Sequence, residues 1–300
     1  MTRPPVALTI AGTDPSGGAG VQADLKTFAA RGVYGTSVMT ALVAQNTHGV
    51  NRIYGISEDF VRDQLDSVFD DMPVDALKTG MLGTKKMVEL LGEYLCQRAY
   101  GCLVVDPVMV ATSGHRLLAE DATEAYREVM VPLSDILTPN IPEAALLLGE
   151  DVPPATTVHD MRSQAEELCS RGATAVLLKG GHLGTRSSGV HDVLALRTGE
   201  GRGIQLHEFS HDFVSTPHTH GTGCTLSAAI TAHMATAYAS QAIVGSIPEA
   251  IGEALDYMSR AVASGARWSL AHEADGSHGP VNHLVDSPLN HQIDDRRSSL

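Results

Sequence analysis

The stretch Val6-Ala7-Leu8-Thr9-Ile10-Ala11, then Gly12-Thr13-Asp14-Pro15-Ser16-Gly17-Gly18-Ala19-Gly20, then Val21, Leu25, Phe28 and Ala29 at helical spacing, reads as a strand, a glycine-rich loop and a helix. A strand with no polar alternation belongs in a sheet covered on both faces. Gly32 stops the helix. The unit recurs downstream. Residues 38–44 form a second apolar strand, and Ser57 caps a helix whose first turn carries Glu58 and Asp59. Residues 74–78, 103–105, 135–138 and 174–179 are further short strands, with helices around 87–95, 121–131, 141–149 and 157–170. Residues 190–196 and 204–209 read as a small antiparallel hairpin. Two long helices follow, near 223–240 and 247–268. This alternation predicts an α/β fold, with a mostly parallel sheet, helices on both faces, and ligands at the carboxyl ends of the strands. Residues 1–285 read as one domain and 286–300 as a polar, flexible tail.

Composition narrows the function classes. The 300 residues carry 35 acidic against 21 basic side chains, a net charge of −14. That balance leaves no electrostatic footprint for nucleic acid. With 43% hydrophobic residues the chain can build a large core. No apolar run approaches the roughly 18 residues that span a bilayer, and residues 6–11 are too short for a signal sequence. Cys96, Cys102, Cys169 and Cys224 include no Cys-x-x-Cys pair and read as reduced thiols in a cytoplasmic protein.

The loop 12–20 contains Gly18-x-Gly20-x-x-Ala23, which imitates a dinucleotide fingerprint. Its context is wrong. The fingerprint follows its strand at once and expects an acidic residue at the end of the next strand, where this chain has Gln45 and Asn46. No Gly-x-x-x-x-Gly-Lys-Ser/Thr motif is present either. A long glycine loop between a core strand and a core helix costs ordering entropy, which points to ligand contact rather than a plain surface turn.

His218-Thr-His-Gly-Thr-Gly-Cys-Thr-Leu-Ser-Ala-Ala229 is the sharpest signal. Gly221, Thr222 and Gly223 open a helix whose first N–H groups lack internal partners, which makes an anion site. Such a site stabilises charge that develops in phosphoryl transfer. Cys224 sits in the first turn, where the helix field lowers a thiol pKa and fits it as a base or nucleophile. Two alternatives stand beside this reading: a buried structural cysteine, and a cysteine hydrolase with His218 or His220 as base.

The motif Gly221-Thr-Gly-Cys-Thr-Leu-Ser-Ala-Ala229, with Ala11-Gly-Thr-Asp-Pro-Ser-Gly-Gly-Ala-Gly-Val-Gln-Ala-Asp24 and Thr40-Ala-Leu-Val-Ala-Gln-Asn-Thr47, resembles the hydroxymethylpyrimidine/phosphomethylpyrimidine kinases of thiamine biosynthesis, members of the ribokinase-like superfamily. Lys78-Thr-Gly-Met-Leu82, Asp106-Pro-Val-Met-Val110, Thr138-Pro-Asn-Ile-Pro-Glu-Ala144 and Lys179-Gly-Gly-His182 extend the resemblance in order along most of the chain.

The resemblance implies a ribokinase-like central sheet and transfer of the γ-phosphoryl of ATP, with Mg²⁺, in a homodimer. The acceptors it implies are the hydroxymethyl of 4-amino-5-hydroxymethyl-2-methylpyrimidine and then the phosphate of its monophosphate. It places Gln45 on the pyrimidine edge, where an amide offers donor and acceptor, and Gly12, Asp24, Met81 and Val108 at other pocket positions. Cys224 stands where most related sugar kinases carry an aspartate base, with Gly221–Gly223 as the anion hole. Asn140-x-x-Glu143 is a helix capping box by pattern, and by resemblance Glu143 lies on the phosphate–magnesium side. By position, Asp106 either helps through water on the metal side or forms a strand-end turn with Pro107, and Lys179 either meets ATP phosphate as a point charge or caps the sheet edge. Pyridoxal or pyridoxine kinase is the nearest alternative within the superfamily, since close relatives accept a similar flat ring with a hydroxymethyl arm, and a thiol at Cys224 suits reversible addition to the pyridoxal aldehyde. A binding protein that keeps the pocket is a separate one. His272, His278 and His283 fit no zinc spacing, and His115, His182 and His191 read as surface or loop residues.

Overall fold

The computed structural model describes residues 3–109, 117–119, 121–181, 183–185, 188–199, 203–241, 247–272 and 275–287. His115, His182 and residues 288–300 of the expected tail lie outside the described residues.

Ten strands and nine α-helices are described, in the order β1 (Val6–Ala11), α1 (Gly20–Ala30), β2 (Tyr34–Met39), β3 (Ala41–Asn46), β4 (Gly49–Gly55), α2 (Glu58–Phe69), β5 (Ala76–Thr79), α3 (Lys85–Leu95) and β6 (Cys102–Val105). Then come α4 (Ala122–Ala125), a π-helical turn (Tyr126–Met130), α5 (Val131–Leu133), β7 (Ile136–Leu137), α6 (Ile141–Leu148), α7 (Val158–Ser170), β8 (Ala175–Leu178), β9 (Val190–Thr198), β10 (Gly203–His211), α8 (Thr222–Ala239) and α9 (Ile247–Gly265). The main sheet has eight strands in the order β10-β9-β8-β7-β6-β5-β1-β2. From β2 to β8 its neighbours run parallel. The expected hairpin is β9–β10, which adds antiparallel strands to this sheet beside β8.

Alternate strand residues feed two cores. Leu8, Ile10, Leu77, Leu103 and Val105 pack with helices α2 to α7. Ala7, Ala76, Cys102, Val104 and Ala175 pack with α1, α8 and α9. The strand side chains turned toward α8 are small, and α8 answers with Ala228, Ala229, Ala232 and Ala235, all buried. Small side chains on both surfaces bring this helix in close to the sheet, and with it the glycine-bearing start.

The structure corrects the sequence reading in three places. Residues 38–44 are not one strand. Thr40 separates β2 from β3: its N–H donates to the Ala11 carbonyl at 3.0 Å and its hydroxyl to the Met81 carbonyl at 2.7 Å. β3 then leaves the main sheet and pairs antiparallel with β4 as a separate two-stranded sheet. A run broken only by one threonine hides such a change of partner, because the cause is tertiary. Ser57 holds the N-cap position of α2, but its side chain makes no capping hydrogen bond. The helix expected over 121–131 is broken by the π turn.

Candidate active site

The parallel strands deliver their following residues to one end of the sheet. β1 runs into the glycine loop, β5 into Gly80-Met81, β6 into Asp106, β7 into Thr138-Pro139-Asn140, and β8 into Lys179. β1 lies between β2 and β5, so the chain winds outward from it in both directions. A crevice opens where strand order reverses in this way. Here it is a cavity of about 650 Å³.

One wall is made by the glycine loop and β3. Gly12 sits against Met81, since a Cβ added at Gly12 would stand 3.2 Å from the Met81 sulfur. The Thr13 N–H donates to Ala41 O, and the Val43 N–H to Thr13 Oγ1, both at 3.0 Å, which ties β3 to the loop. A β-bulge falls between Ala44 and Gln45. Bulges re-aim side chains beside functional sites, and Gln45 lines the cavity with Gly12, Met81 and Val108.

A second wall, adjoining the first where Gly221 abuts Gly18, is the start of α8. Gly221 caps this helix in the left-handed region, at φ 81, with no side-chain cap. First-turn amides, Gly223 and Cys224 among them, have no carbonyl one turn back within the helix, and these residues face the cavity. The Lys179 ammonium lies 3.0 Å from Asp106 Oδ1, and a Cβ on Gly223 would come to 3.4 Å from that ammonium. Burial pushes the Asp106 carboxyl up, but Lys179 and Lys78 outweigh it and hold the group below the usual carboxylate range. Asn140 and Glu143 form the expected capping box of α6: the Asn140 N–H donates to Glu143 Oε2 at 2.8 Å, and the Glu143 N–H to Asn140 Oδ1 at 2.9 Å. Burial lifts Glu143 to about 7, against the pull of Lys179.

Cys224 departs from the expectation of a lowered thiol pKa. Burial pushes it up to about 12, against the attraction of Lys78. Desolvation outweighs the helix field here, so the thiol is neutral.

Of the residues singled out in the sequence, Gln45, Gly12, Met81, Val108, Asp106, Asn140, Glu143, Lys179, Gly221, Thr222, Gly223 and Cys224 all line the one cavity. Asp24 does not. It is fully buried behind the wall, 2.8 Å from the Lys78 ammonium, and accepts the Thr9 hydroxyl at 2.6 Å. Lys78 in turn lies 3.4 Å from the Cys224 carbonyl oxygen.

Two residues of the site escaped the sequence reading. Lys78 is one, and its signal was a lysine inside an otherwise apolar strand. Asp14 is the other, and His220, which the sequence offers only as the base of a cysteine hydrolase, is its partner. Asp14 is fully buried and accepts from Ser16 N, Ser16 Oγ, Gly18 N, Ala19 N and His220 Nε2. Burial raises its pKa, but His220, Ser16 and Gln45 more than reverse this and hold it well below the usual range.

An uncapped helix start, a lysine and two buried carboxylates at one end of a long cavity, all hung on a parallel sheet, define a phosphotransferase of the ribokinase-like class. Comparison with known proteins gives the family. The sequence profile of the phosphomethylpyrimidine kinases matches residues 14–282, and the chain belongs to that family. A Salmonella typhimurium (strain LT2) protein named hydroxymethylpyrimidine/phosphomethylpyrimidine kinase is 53% identical over 226 residues, covering 75% of this chain and 81% of its own. Its Escherichia coli (strain K12) namesake is 46% identical over 278 residues, covering 93% and 97%. Among solved structures, a Bacillus subtilis pyridoxal kinase in complex with ADP superposes with a TM-score of 0.79 at 34% identity, covering 94% of this chain and 98% of that one.

Proposed function

We propose that this chain transfers the γ-phosphoryl group of ATP to the hydroxymethyl group of 4-amino-5-hydroxymethyl-2-methylpyrimidine, and then to the phosphate of the resulting monophosphate, in thiamine biosynthesis. The observation that carries the reading is a single cavity joining the Gln45–Met81 wall to the Lys179 and Gly221–Cys224 wall, in a chain 46% identical to a kinase of that name over 93% of its length. Gln45 reads the ring edge, and Gly12, Met81 and Val108 pack on the ring. Asp24 acts from behind the wall, through Lys78. The Gly221–Gly223 turn and Lys179 receive the charge of the transferring phosphoryl. Asn140 holds Glu143 in place. Cys224 stands beside the acceptor hydroxyl. A neutral thiol there suits a loose transition state, in which the hydroxyl proton leaves late and positioning outweighs base strength.

ATP as donor is supported by the ADP-bound pyridoxal kinase of the same fold. Among the described residues no three His, Cys, Asp or Glu side chains form a metal cage. Asp106 and Glu143 suit a magnesium ion held mainly by ATP phosphates and waters, and such an ion neutralises phosphate charge.

The partner we assign is a second copy of the chain. On β3–β4 the cross-strand pairs Leu42–Tyr54 and Ala44–Arg52 share the face turned away from the cavity. Leu42 is 47% and Tyr54 65% exposed, an apolar pair that a second ribbon would cover. Light scattering of the wild type should give a dimer, and Tyr54→Glu should shift it to monomer. A wild-type monomer at micromolar concentration refutes this assignment. Among the described residues no helix is long and apolar enough to cross a membrane, and the cysteines are free. The free thiols fit the cytoplasmic protein we propose.

The deciding experiment is ADP release from Mg-ATP with hydroxymethylpyrimidine, its monophosphate or pyridoxal as acceptor. Turnover of both pyrimidines, lost in Gln45→Ala and kept within about tenfold in Cys224→Ser, is the expected result. Turnover of pyridoxal alone would move the chain to vitamin B6 salvage. No turnover would leave a binding protein.

A further inference from the structure

The glycine loop and the start of α8 cross at van der Waals distance, and one side-chain hydrogen bond fastens the crossing. A Cβ on Gly18 would stand 2.5 Å from the His220 ring and 3.0 Å from Pro280, and a Cβ on Gly221 would collide with the Gly18 carbonyl oxygen. At this crossing the His220 Nε2–H reaches Asp14 Oδ2 at 2.8 Å. The same carboxylate gathers the loop amides, from Ser16 at 2.9 Å, Gly18 at 3.1 Å and Ala19 at 2.7 Å. Asp14 is therefore the internal anchor of one wall of the cavity. His220, one residue before Gly221, is the end of the other.

We infer that Asp14 and His220 are positioning residues that lock the acceptor-side loop to the anion-hole turn, so that the two walls keep one spacing. The inference rests on the kinase reading above. Phosphoryl transfer needs acceptor oxygen and phosphorus in line at near-contact distance, and a misplacement of about 1 Å can cost about 10²-fold in rate. The loop carries Gly12 and Gly20. Without the latch, the loop amides lose a fixed acceptor and the turn before Gly221 loses its lateral restraint. Neither residue takes part in the bond exchange.

The test uses the full chain and His220→Ala, His220→Gln, Asp14→Asn and the double variant Asp14→Asn/His220→Ala. Hydrogen exchange without ligand comes first. It should rise together over residues 16–20 and 219–224 in His220→Ala and in Asp14→Asn. Steady-state kinetics with hydroxymethylpyrimidine follow. We expect kcat to fall about 10²-fold while KM for ATP stays within about threefold. His220→Gln, whose amide donates to Asp14, should recover most of the loss. The double variant should be no slower than the slower single one, because both break the same link. Exchange rising in only one stretch, additive losses, or a glutamine no better than alanine overturns the inference. Should His220→Ala fail to fold, Asp14→Asn and His220→Gln carry the exchange test between them. If the wild type phosphorylates no pyrimidine, the proposed function falls, and the exchange result still decides the latch.

Discussion

Asp24 and Lys78 are both fully buried and 2.8 Å apart, so removing one partner leaves the other as an uncompensated charge in the core. Asp24→Ala should cost about 3–5 kcal/mol in urea unfolding, far more than an ordinary surface change. A loss below about 1 kcal/mol would show that the pair is not an ion pair in solution. His283 gives a pH-dependent expectation. It is buried beside the glycine loop, and burial, with Lys26 nearby, lowers its pKa from 6.5 to about 4. A histidine whose folded pKa is depressed binds its proton first in the unfolded chain. Its contribution is therefore fully present above pH 6.5 and is lost as pH falls toward 4. The wild type should lose about 2–3 kcal/mol of stability across that window from this group. His283→Gln should show a flatter profile there, read from chemical denaturation at each pH. At this scale the sequence was generous with residues that stand in motifs and silent about pairs. Asp24 lies on the apolar stripe of α1 with Val21 and Phe28, a signal of a buried charge that was read only as a pocket position. Asp14 and His220 are 206 positions apart, and nothing in either neighbourhood announces the other.

The start of α8 separates what a glycine does for the fold from what it does for the site. Gly221 sits at φ 81 against Gly18. A side chain there pays roughly 1–2 kcal/mol for the left-handed backbone and must also displace the loop. Gly221→Ala should lower the melting temperature and abolish phosphoryl transfer. Gly223 has ordinary helical geometry, and its nearest neighbour would be the Lys179 ammonium at 3.4 Å. Gly223→Ala should leave thermal stability unchanged or raise it slightly, by the roughly 0.5–1 kcal/mol that alanine gains inside a helix. It should still cut turnover, because the methyl group fills the space meant for phosphoryl oxygens. A calorimetric scan beside an ADP-release assay reads both. An equal loss of stability in the two variants would remove the distinction. Elements with their own periodicity were legible in the sequence: β1, α3, α6 and α7 fall within a few residues of their expected places, and the capping box at Asn140–Glu143 is formed. The β3–β4 ribbon was not, because residues 38–44 change partners at Thr40, and one threonine among apolar residues is ordinary within a single strand.

Across the whole molecule, the last described loop ties together parts of the site that the sheet alone leaves apart. The His278 N–H donates to the Thr47 carbonyl at 2.7 Å, just past the end of β3. The His220 N–H donates to the Gly279 carbonyl at 3.1 Å, and the Gly279 N–H to His218 Nδ1 at 3.0 Å. Tyr257 of α9 donates its hydroxyl to the His283 carbonyl. The histidines of this loop fit no metal spacing in the sequence, and at His278 and Gly279 the backbone does the holding. This yields a prediction that a side-chain reading does not make. His278→Ala should change little, since the bond to Thr47 uses the main chain. Gly279→Ala should be damaging, because its Cβ would collide with the His218 ring and push the loop off the segment that leads into Gly221. We expect turnover to fall at least about tenfold in Gly279→Ala, with far-UV circular dichroism unchanged because neither core is touched. His278→Ala should stay within about twofold of wild type. If the two variants behave alike, the loop acts through its side chains or not at all. If Gly279→Ala alone fails, the C-terminal loop holds together a site whose chemistry is carried by residues from the rest of the chain.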